Sequence, residues 1–404
     1  MTAALDPYVT EWLDLLARWL HVIAAIVWIG TSFYFVALDN HLRPPRGRSA
    51  AGEGVGGEAW EIHGGGFYRV EKYRVTPPAI PDPLYWFKWE AYTTWLSGFA
   101  LFVVLYYAHA STYLVDPSVN DLSDGAAIAI SLGLLAGAWL GYEALCRLLG
   151  RHELLLAAAI AGGVTGAAYG ISKLFSERAL PIQLGAILGT IMVANVLFVI
   201  IPAHRQLIRA KEGGREPDPS AGLRGKQRSV HNNYLTLPVV VAMVGPHFPF
   251  IAGRADGWAV LVGLMAIGAW IRLFFNLRHA GRNIWAIPVT AATGIAILAV
   301  VIRPGPGGTT GEAGGAPVPF AQARAIVEQR CLPCHAENPT NPSFGTAPAG
   351  VRFDTPQEIA SQAQLIDQQA VESRAMPLGN ATGMTEAERE LLGRWIAQGA
   401  KTGK

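Results

Sequence analysis

Residues 11–40 read EWLDLLARWLHVIAAIVWIGTSFYFVALDN. A helix needs about 20 predominantly apolar residues to cross a bilayer, and this stretch supplies them over 11–37. In lipid such a segment must be helical, because every backbone polar group has to find its partner within the segment. The residues ahead of it, MTAALDPYVT, show no basic region and no small-residue cleavage site, so the helix is expected to stay in the mature chain.

The same reading extends along a chain of 404 residues that is 51% apolar and only 15% charged. Seven further segments qualify, at 86–109, 125–148, 153–173, 179–203, 229–249, 256–278 and 284–302. The sixth span carries Pro238 and Pro246 and is the one most open to replacement by a bent buried helix. The predicted fold is all-α: a polytopic bundle of about eight transmembrane helices over 1–302, with a long loop at 38–85. Lys and Arg fall unevenly on its loops, 17 on one side against 3 on the other. The positive-inside rule then puts the N-terminus outside and the loop 38–85 in the cytoplasm. Eight crossings bring the C-terminus outside as well. Lipid is thus an expected partner and nucleic acid is not.

Residues 303–319, RPGPGGTTGEAGGAPVP, form a Gly/Pro-rich linker whose ends would lie roughly 20–25 Å apart as flexible coil. Beyond it, 320–404 is polar and carries EQRCLPCHAEN at 328–338. Two thiols one helical turn apart, followed by histidine, are the attachment pattern of a covalent haem c. Cys331 and Cys334 would bind the porphyrin, and His335 would bind its iron. A zinc half-site is the competing reading, but no Cys or His follows His335 to complete one. The same absence directs the sixth iron ligand to Met376 or Met384, with Met376 preferred because Pro377 stiffens its loop. TEAERELLGRWIAQ at 385–398 reads as a helix capped by Thr385 and Glu388, with Leu391, Leu392 and Trp395 inward. The segment resembles a small class I cytochrome c, expected in the periplasm. The third cysteine, Cys146, reads as a small core residue.

Ionisable groups inside spanning helices mark functional sites. The histidines fall on two levels, His21, His109 and His247 toward the outer half and His204, His231 and His279 toward the inner. His21, well inside the first helix, is the best candidate ligand for a b-type haem. The inner half also holds Glu90, Glu143, Asn195, Asn232, Asn233, Arg272 and Asn276. Arg272, Asn276 and His279 share one helical face. A carboxylate, an arginine and several carboxamides would suit a flat anionic heterocycle, while interhelical glue contacts are the plainer reading. Gly133, Gly137 and Gly141, like Gly162, Gly166 and Gly170, are read as close-packing positions. WEIHGGGFYRVEKYRV at 60–75 reads as a lid over an inner site or as a plain surface hairpin.

The opening helix, IHGGGFY, WFKWEAYTTWLSGFAL and CLPCH with MPLGN together resemble the bacterial integral-membrane urate oxidases fused to cytochrome c, over essentially the whole chain. That resemblance implies an inner-membrane oxidoreductase of purine catabolism, converting urate to 5-hydroxyisourate. It further implies that electrons pass through haem c to a respiratory acceptor, a cytochrome c or terminal oxidase, and not directly to oxygen. The haem ligands carry over as Cys331, Cys334, His335 and Met376. WLHVIAAIVWIG alone also resembles the haem-binding segment of small four-helix membrane proteins of porphyrin oxidation and copper handling, which supports His21. Within the urate reading, Arg272 is assigned to the anion, Asn276 and Asn233 to heterocycle hydrogen bonds, and Glu90 or Glu143 to the proton. An outer site would fall to Arg18 and His21 instead. The competing functions are a quinol-oxidising electron-transfer subunit and a haem or copper transporter with a redox-sensing tail.

Overall fold

The computed structural model describes residues 7–45, 54–117, 119–248, 251, 256–303, 316–372 and 374–402. Most of the expected linker, and with it Arg46, Arg48 and Arg254 of the charge count, lies outside the described residues. The chain is mostly helical, 69% helix against 5% strand, so the all-α reading holds apart from one hairpin.

Each of the eight apolar segments coincides with helix. These are α1 (Pro7–His41), α2 (Trp89–Phe102), α4 (Asp124–Leu149), α5 (Glu153–Ile171), α6 (Ala179–Ala194) running on into α7 (Ile201–Glu212), α8 (Pro219–Val244), α9 (Gly257–His279) and α10 (Ala286–Val301); α3 is the short turn Ala110–Tyr113. Five are long and apolar enough to cross a membrane: α1, α4, α5, the continuous α6–α7 and α9. The other three fall short for separate reasons. The second segment leaves α-geometry in a π-turn at Val103–Tyr107 and breaks at His109 before α3. The sixth begins with the polar run PSAGLRGKQRSVHNN, and the eighth has only 16 residues. Pro238 lies inside α8, which continues past it.

Why the helices start where they do is plain at two of them. Ser123 accepts a hydrogen bond from the Ala126 N–H at the start of α4. Asp218 caps α8, whose first residue is proline, where a missing N–H costs nothing. The bundle core gathers Leu135, Leu180, Leu184, Leu188 and Leu261 from α4, α6 and α9. A second π-turn, Asn195–Ile200, joins α6 to α7 and carries Asn195 into the interior.

The expected loop 38–85 is largely structured. α1 runs on to His41, and β1 (Val55–His63) pairs antiparallel with β2 (Gly66–Tyr73). Gly64 and Gly65, at φ +56° and +82°, form the two-residue turn whose positive φ values match strand twist. Of the two readings of this stretch, the hairpin is the one observed.

The glycine rows also depart from expectation. A Cβ on Gly133, Gly137, Gly141, Gly162, Gly166 or Gly170 would meet no atom within 4 Å. They face away from the rest of the chain and close no helix–helix contact within it.

The C-terminal unit has its own core, with Val327, Ile359, Leu392 and Trp395 buried. It is built from α11 (Phe320–Arg330), the turn α12 (Leu332–His335), α13 (Pro356–Ser361), α14 (Ala363–Ile366) and α15 (Glu386–Ala397). Both halves of the expected capping box between Thr385 and Glu388 are formed; Leu392 and Trp395 are buried, and Leu391 packs half-buried against them. This unit rests on α3. Gly379, at φ +55°, comes so close that a Cβ would stand 2.7 Å from the Thr112 carbonyl oxygen and 3.0 Å from that of Val115. Only glycine suits both the conformation and the gap.

Candidate functional site

Two of the polar networks inside the bundle meet at α8, whose neighbouring residues belong to different ones. Asn233 faces α9. Its Oδ1 accepts from Arg272 Nε–H at 2.9 Å and from the Asn276 amide at 3.0 Å. Asn40 of α1 donates to the Asn276 carbonyl at 3.4 Å. The Arg272 guanidinium lies over the Phe33 ring, 3.8 Å from its centroid. Arg272 and Asn233 are almost completely buried. Three buried polar atoms here have no partner: Arg272 Nη2, Asn233 Nδ2 and Asn276 Oδ1. His279 Nδ1, on the same helix as Arg272, is unpaired too.

Asn232 faces α4 and the π-turn. Asn195 donates to Asn232 Oδ1 at 2.9 Å and to the Tyr142 hydroxyl at 3.1 Å, and Tyr142 meets His231 Nδ1 at 2.7 Å. Arg228 donates to Glu143 Oε2 at 2.7 Å and lies over the Tyr142 ring. Arg147 takes the other carboxylate oxygen of Glu143, also at 2.7 Å. Arg228 Nη1 and Asn195 Oδ1 remain without partners.

The decisive contrast is charge. Arg228 has its carboxylate. Among the described residues, no carboxylate pairs with Arg272. A buried cation without a counter-ion is strongly disfavoured. The spare donors of Arg272 and Asn233, beside the spare acceptor of Asn276, form a polar cluster whose hydrogen-bonding edges would complement an anion.

Arg272, Asn233 and Asn276 are thus brought together as the sequence assigned them. Glu143 stands apart in the other network with both oxygens engaged. Glu90, in the first turn of α2, keeps Oε2 buried and without a hydrogen-bond partner. Phe33, Asn40, Tyr142 and Arg228 were not foreseen. Nothing in the sequence singles out Phe33 among the aromatic residues of α1; its role depends on helix phase and on the packing of α9.

Toward the opposite end, His21 Nδ1 meets the Thr94 carbonyl at 2.9 Å and Ser97 Oγ at 3.3 Å. Its ring fills the space beside Gly98, where a Cβ would lie 2.7 Å from Cε1. Those neighbours include no second haem-type ligand. Arg18 is engaged with Asp14 at 2.7 Å.

In the C-terminal unit, the Cys334 and His335 N–H groups both donate to the Cys331 carbonyl, at 3.1 and 2.9 Å, so the motif forms one helical turn. His335 Nδ1 lies 2.9 Å from the Val351 carbonyl oxygen, which fixes the ring and leaves Nε2 for a ligand. Phe353 packs against the same ring, with centroids 5.3 Å apart. Burial pushes the Cys331 thiol up to about 12 and raises that of Cys334. Met384 is buried in the core, whereas Met376 is half-buried at its edge. The Met376 backbone is tied by Gln369 at 2.8 Å and by Arg389 Nη1 at 2.8 Å. Thiols on one turn, a histidine with one nitrogen anchored, and a thioether outside the core together suit a covalently attached haem. Among the described residues, no group of three or more His, Cys, Asp or Glu forms a metal site.

No curated protein matches the chain. No solved structure matches it either. Residues 7–303 match the family model described as urate oxidase, N-terminal, and the chain belongs to that urate oxidase-like family.

Proposed function

We propose that the protein is a membrane-bound urate oxidase that converts urate to 5-hydroxyisourate in purine catabolism and passes the electrons to a haem c on its own C-terminal unit. The buried Arg272 cluster, with no counter-ion among the described residues and inside the segment that matches the family, carries this reading. Urate is a planar monoanion at neutral pH, with alternating N–H donors and carbonyl acceptors. Arg272 Nη2 binds the anionic edge, Asn233 Nδ2 donates to a carbonyl, and Asn276 Oδ1 accepts from a ring N–H. Phe33 holds the guanidinium in plane from its other face.

The reaction balances as urate monoanion plus water giving 5-hydroxyisourate, one proton and two electrons. Two-electron loss makes C5 electrophilic, and water adds there. Glu90, the carboxylate with a free oxygen, takes the released proton; Glu143, held by two arginines, does not. Cys331 and Cys334 would hold a covalent haem, with His335 and Met376 as its iron ligands, and the haem would supply one-electron acceptance when bound. The chain holds that site against α3 through Gly379, Thr112 and Ser343, whose hydroxyl lies 3.4 Å from that of Thr112. Electrons then leave to a respiratory acceptor. The charge asymmetry of the loops supports placing the C-terminal unit in the periplasm and the Arg272 cluster toward the cytoplasm, across the bacterial inner membrane.

Anaerobic addition of urate to washed membranes tests the assignment. Reduction of the c-type absorption band by urate is expected. Reduction by a quinol and not by urate would assign the chain to quinol oxidation instead.

A further inference from the structure

The β1–β2 hairpin ends in an apolar tip that no described residue covers. Trp60 and Ile62 share one face of β1, and their cross-strand partners on β2 are Arg69 and Phe67. Trp60 is 59% exposed, Ile62 71% and Phe67 76%. The opposite face is the one held to α1. Glu61 meets the Tyr34 hydroxyl at 2.5 Å and His41 Nε2 at 3.4 Å.

These contacts also set the direction of the hairpin. Glu58 bridges to Arg43, just past the end of α1, and Glu61 reaches back to Tyr34. β1 therefore runs antiparallel to α1, back toward its apolar section. No Asp, Glu, Lys or Arg occurs between Arg18 and Asp39. That interval rises about 31 Å as helix, close to the hydrocarbon thickness, so the hydrocarbon ends near Asp39. Tyr34 lies about 7 Å inside that limit at helical rise. The tip residues follow Glu61 toward and past this level.

An independent marker stands at the same height. Phe35, next to Tyr34, packs on Phe87 at 4.9 Å, and Phe87 on Tyr85 at 4.8 Å. Lys88 lies over the rings of Trp86 and Trp89. Exposed aromatic rings with a cation among them mark the headgroup zone of a bilayer.

We propose that the hairpin tip is an interfacial anchor, with Trp60, Ile62 and Phe67 seated among the lipid headgroups and upper acyl chains at this end of the bundle. The proposal rests on the bundle spanning the bilayer. The apolar tip of this face meets lipid, with the Glu58–Arg69–Glu71 ion pairs at its base, while Glu61 keeps the strand tied to the helix. The hairpin then acts as a strut on the α1 end that carries Phe33 and Asn40, and not as a lid that opens.

The test uses the full chain in vesicles of phosphatidylethanolamine and phosphatidylglycerol, with spin labels on Ile62→Cys and Phe67→Cys and the unsubstituted protein as background. Val289→Cys, on the exposed face of α10, reports hydrocarbon, and Lys211→Cys, at the end of α7, reports water. Collision with oxygen relative to a water-soluble nickel chelate is expected to be severalfold higher at residues 62 and 67 than at 211. Values at 62 and 67 equal to 211, with 289 still in hydrocarbon, would overturn the anchor alone. A water-like value at 289 would overturn the spanning reading and the anchor with it. Spin–spin broadening at 62 that vanishes on dilution with unlabelled protein would assign the tip to a second copy and overturn the lipid assignment.

Discussion

Asn232 and Asn233 are adjacent on α8, yet they serve networks of opposite character. On the Asn232 side, Arg228 is neutralised by Glu143 and stacked on Tyr142. On the Asn233 side, Arg272 has an amide oxygen and an aromatic face but no counter-charge. Two buried guanidiniums of the same bundle thus meet the cost of burial differently. One is balanced within the fold, so its network is structural. The other has no counter-ion among the described residues, and the proposed function assigns that place to the substrate anion. A half-buried charge, Glu177 at the junction with the C-terminal unit, meets it in another way, by taking up a proton. Burial chiefly, with Asp116 and Asp256 beside it, pushes its carboxyl up to about 7 against the opposing pull of Arg374 and Arg389.

The largest effect expected is on turnover. Arg272→Ala removes the cation of the Asn233 network and should cost roughly 3–5 kcal/mol of urate binding, at least a hundredfold in kcat/KM. Steady-state urate oxidation measures it. Next comes Asn233→Asp, which places a carboxylate against Arg272 from within the fold. Urate turnover should fall by more than about tenfold while thermal stability holds or rises, because the buried guanidinium gains a counter-charge in place of an amide oxygen. A variant that kept full turnover would show that the open network is not the site.

Stability then separates the two arginines. Arg228→Met leaves Glu143 with Arg147 alone and should destabilise the unliganded protein by roughly 3 kcal/mol. Arg272→Met leaves no charge behind and should be neutral or stabilising by about 1 kcal/mol. Thermal unfolding in detergent compares them. If both variants lose stability equally, the contrast between a closed and an open network fails.

The smallest effect concerns Glu177. Its folded value stands above the ordinary carboxylate range, so the folded chain holds more protons between about 4.5 and about 7. Stability at the junction should therefore fall as pH rises through that window and then level off. Glu177→Gln should flatten the slope, by on the order of 1 kcal/mol once solvent screening is allowed for. Thermal unfolding as a function of pH reads it.

The helical architecture was legible because long apolar runs have one solution in lipid, and the capping box and motif turn because their signals are local. The hairpin was harder to read. Its alternation spans only eight or nine residues per strand, and its Gly64–Gly65 turn is embedded in a glycine triplet. The break at His109 shortened a span that hydropathy read as continuous. At the site, Arg272 and Asn276 could be paired from spacing alone, being four apart on one helix. Which of Asn232 and Asn233 joins them could not, since adjacent residues differ by about 100° in direction and only packing decides. The choice between Glu90 and Glu143 was equally closed, because the partner that occupies Glu143 lies 85 residues away on α8.

The central claim is that urate fills the charge left open at Arg272. Equilibrium dialysis of radiolabelled urate against the purified, oxidised protein under anaerobic conditions addresses it directly, with Arg272→Ala and Glu90→Gln in parallel. The account predicts saturable binding to the wild type, binding retained in Glu90→Gln with turnover lost, and no saturable binding to Arg272→Ala. Wild-type affinity in Arg272→Ala would contradict it.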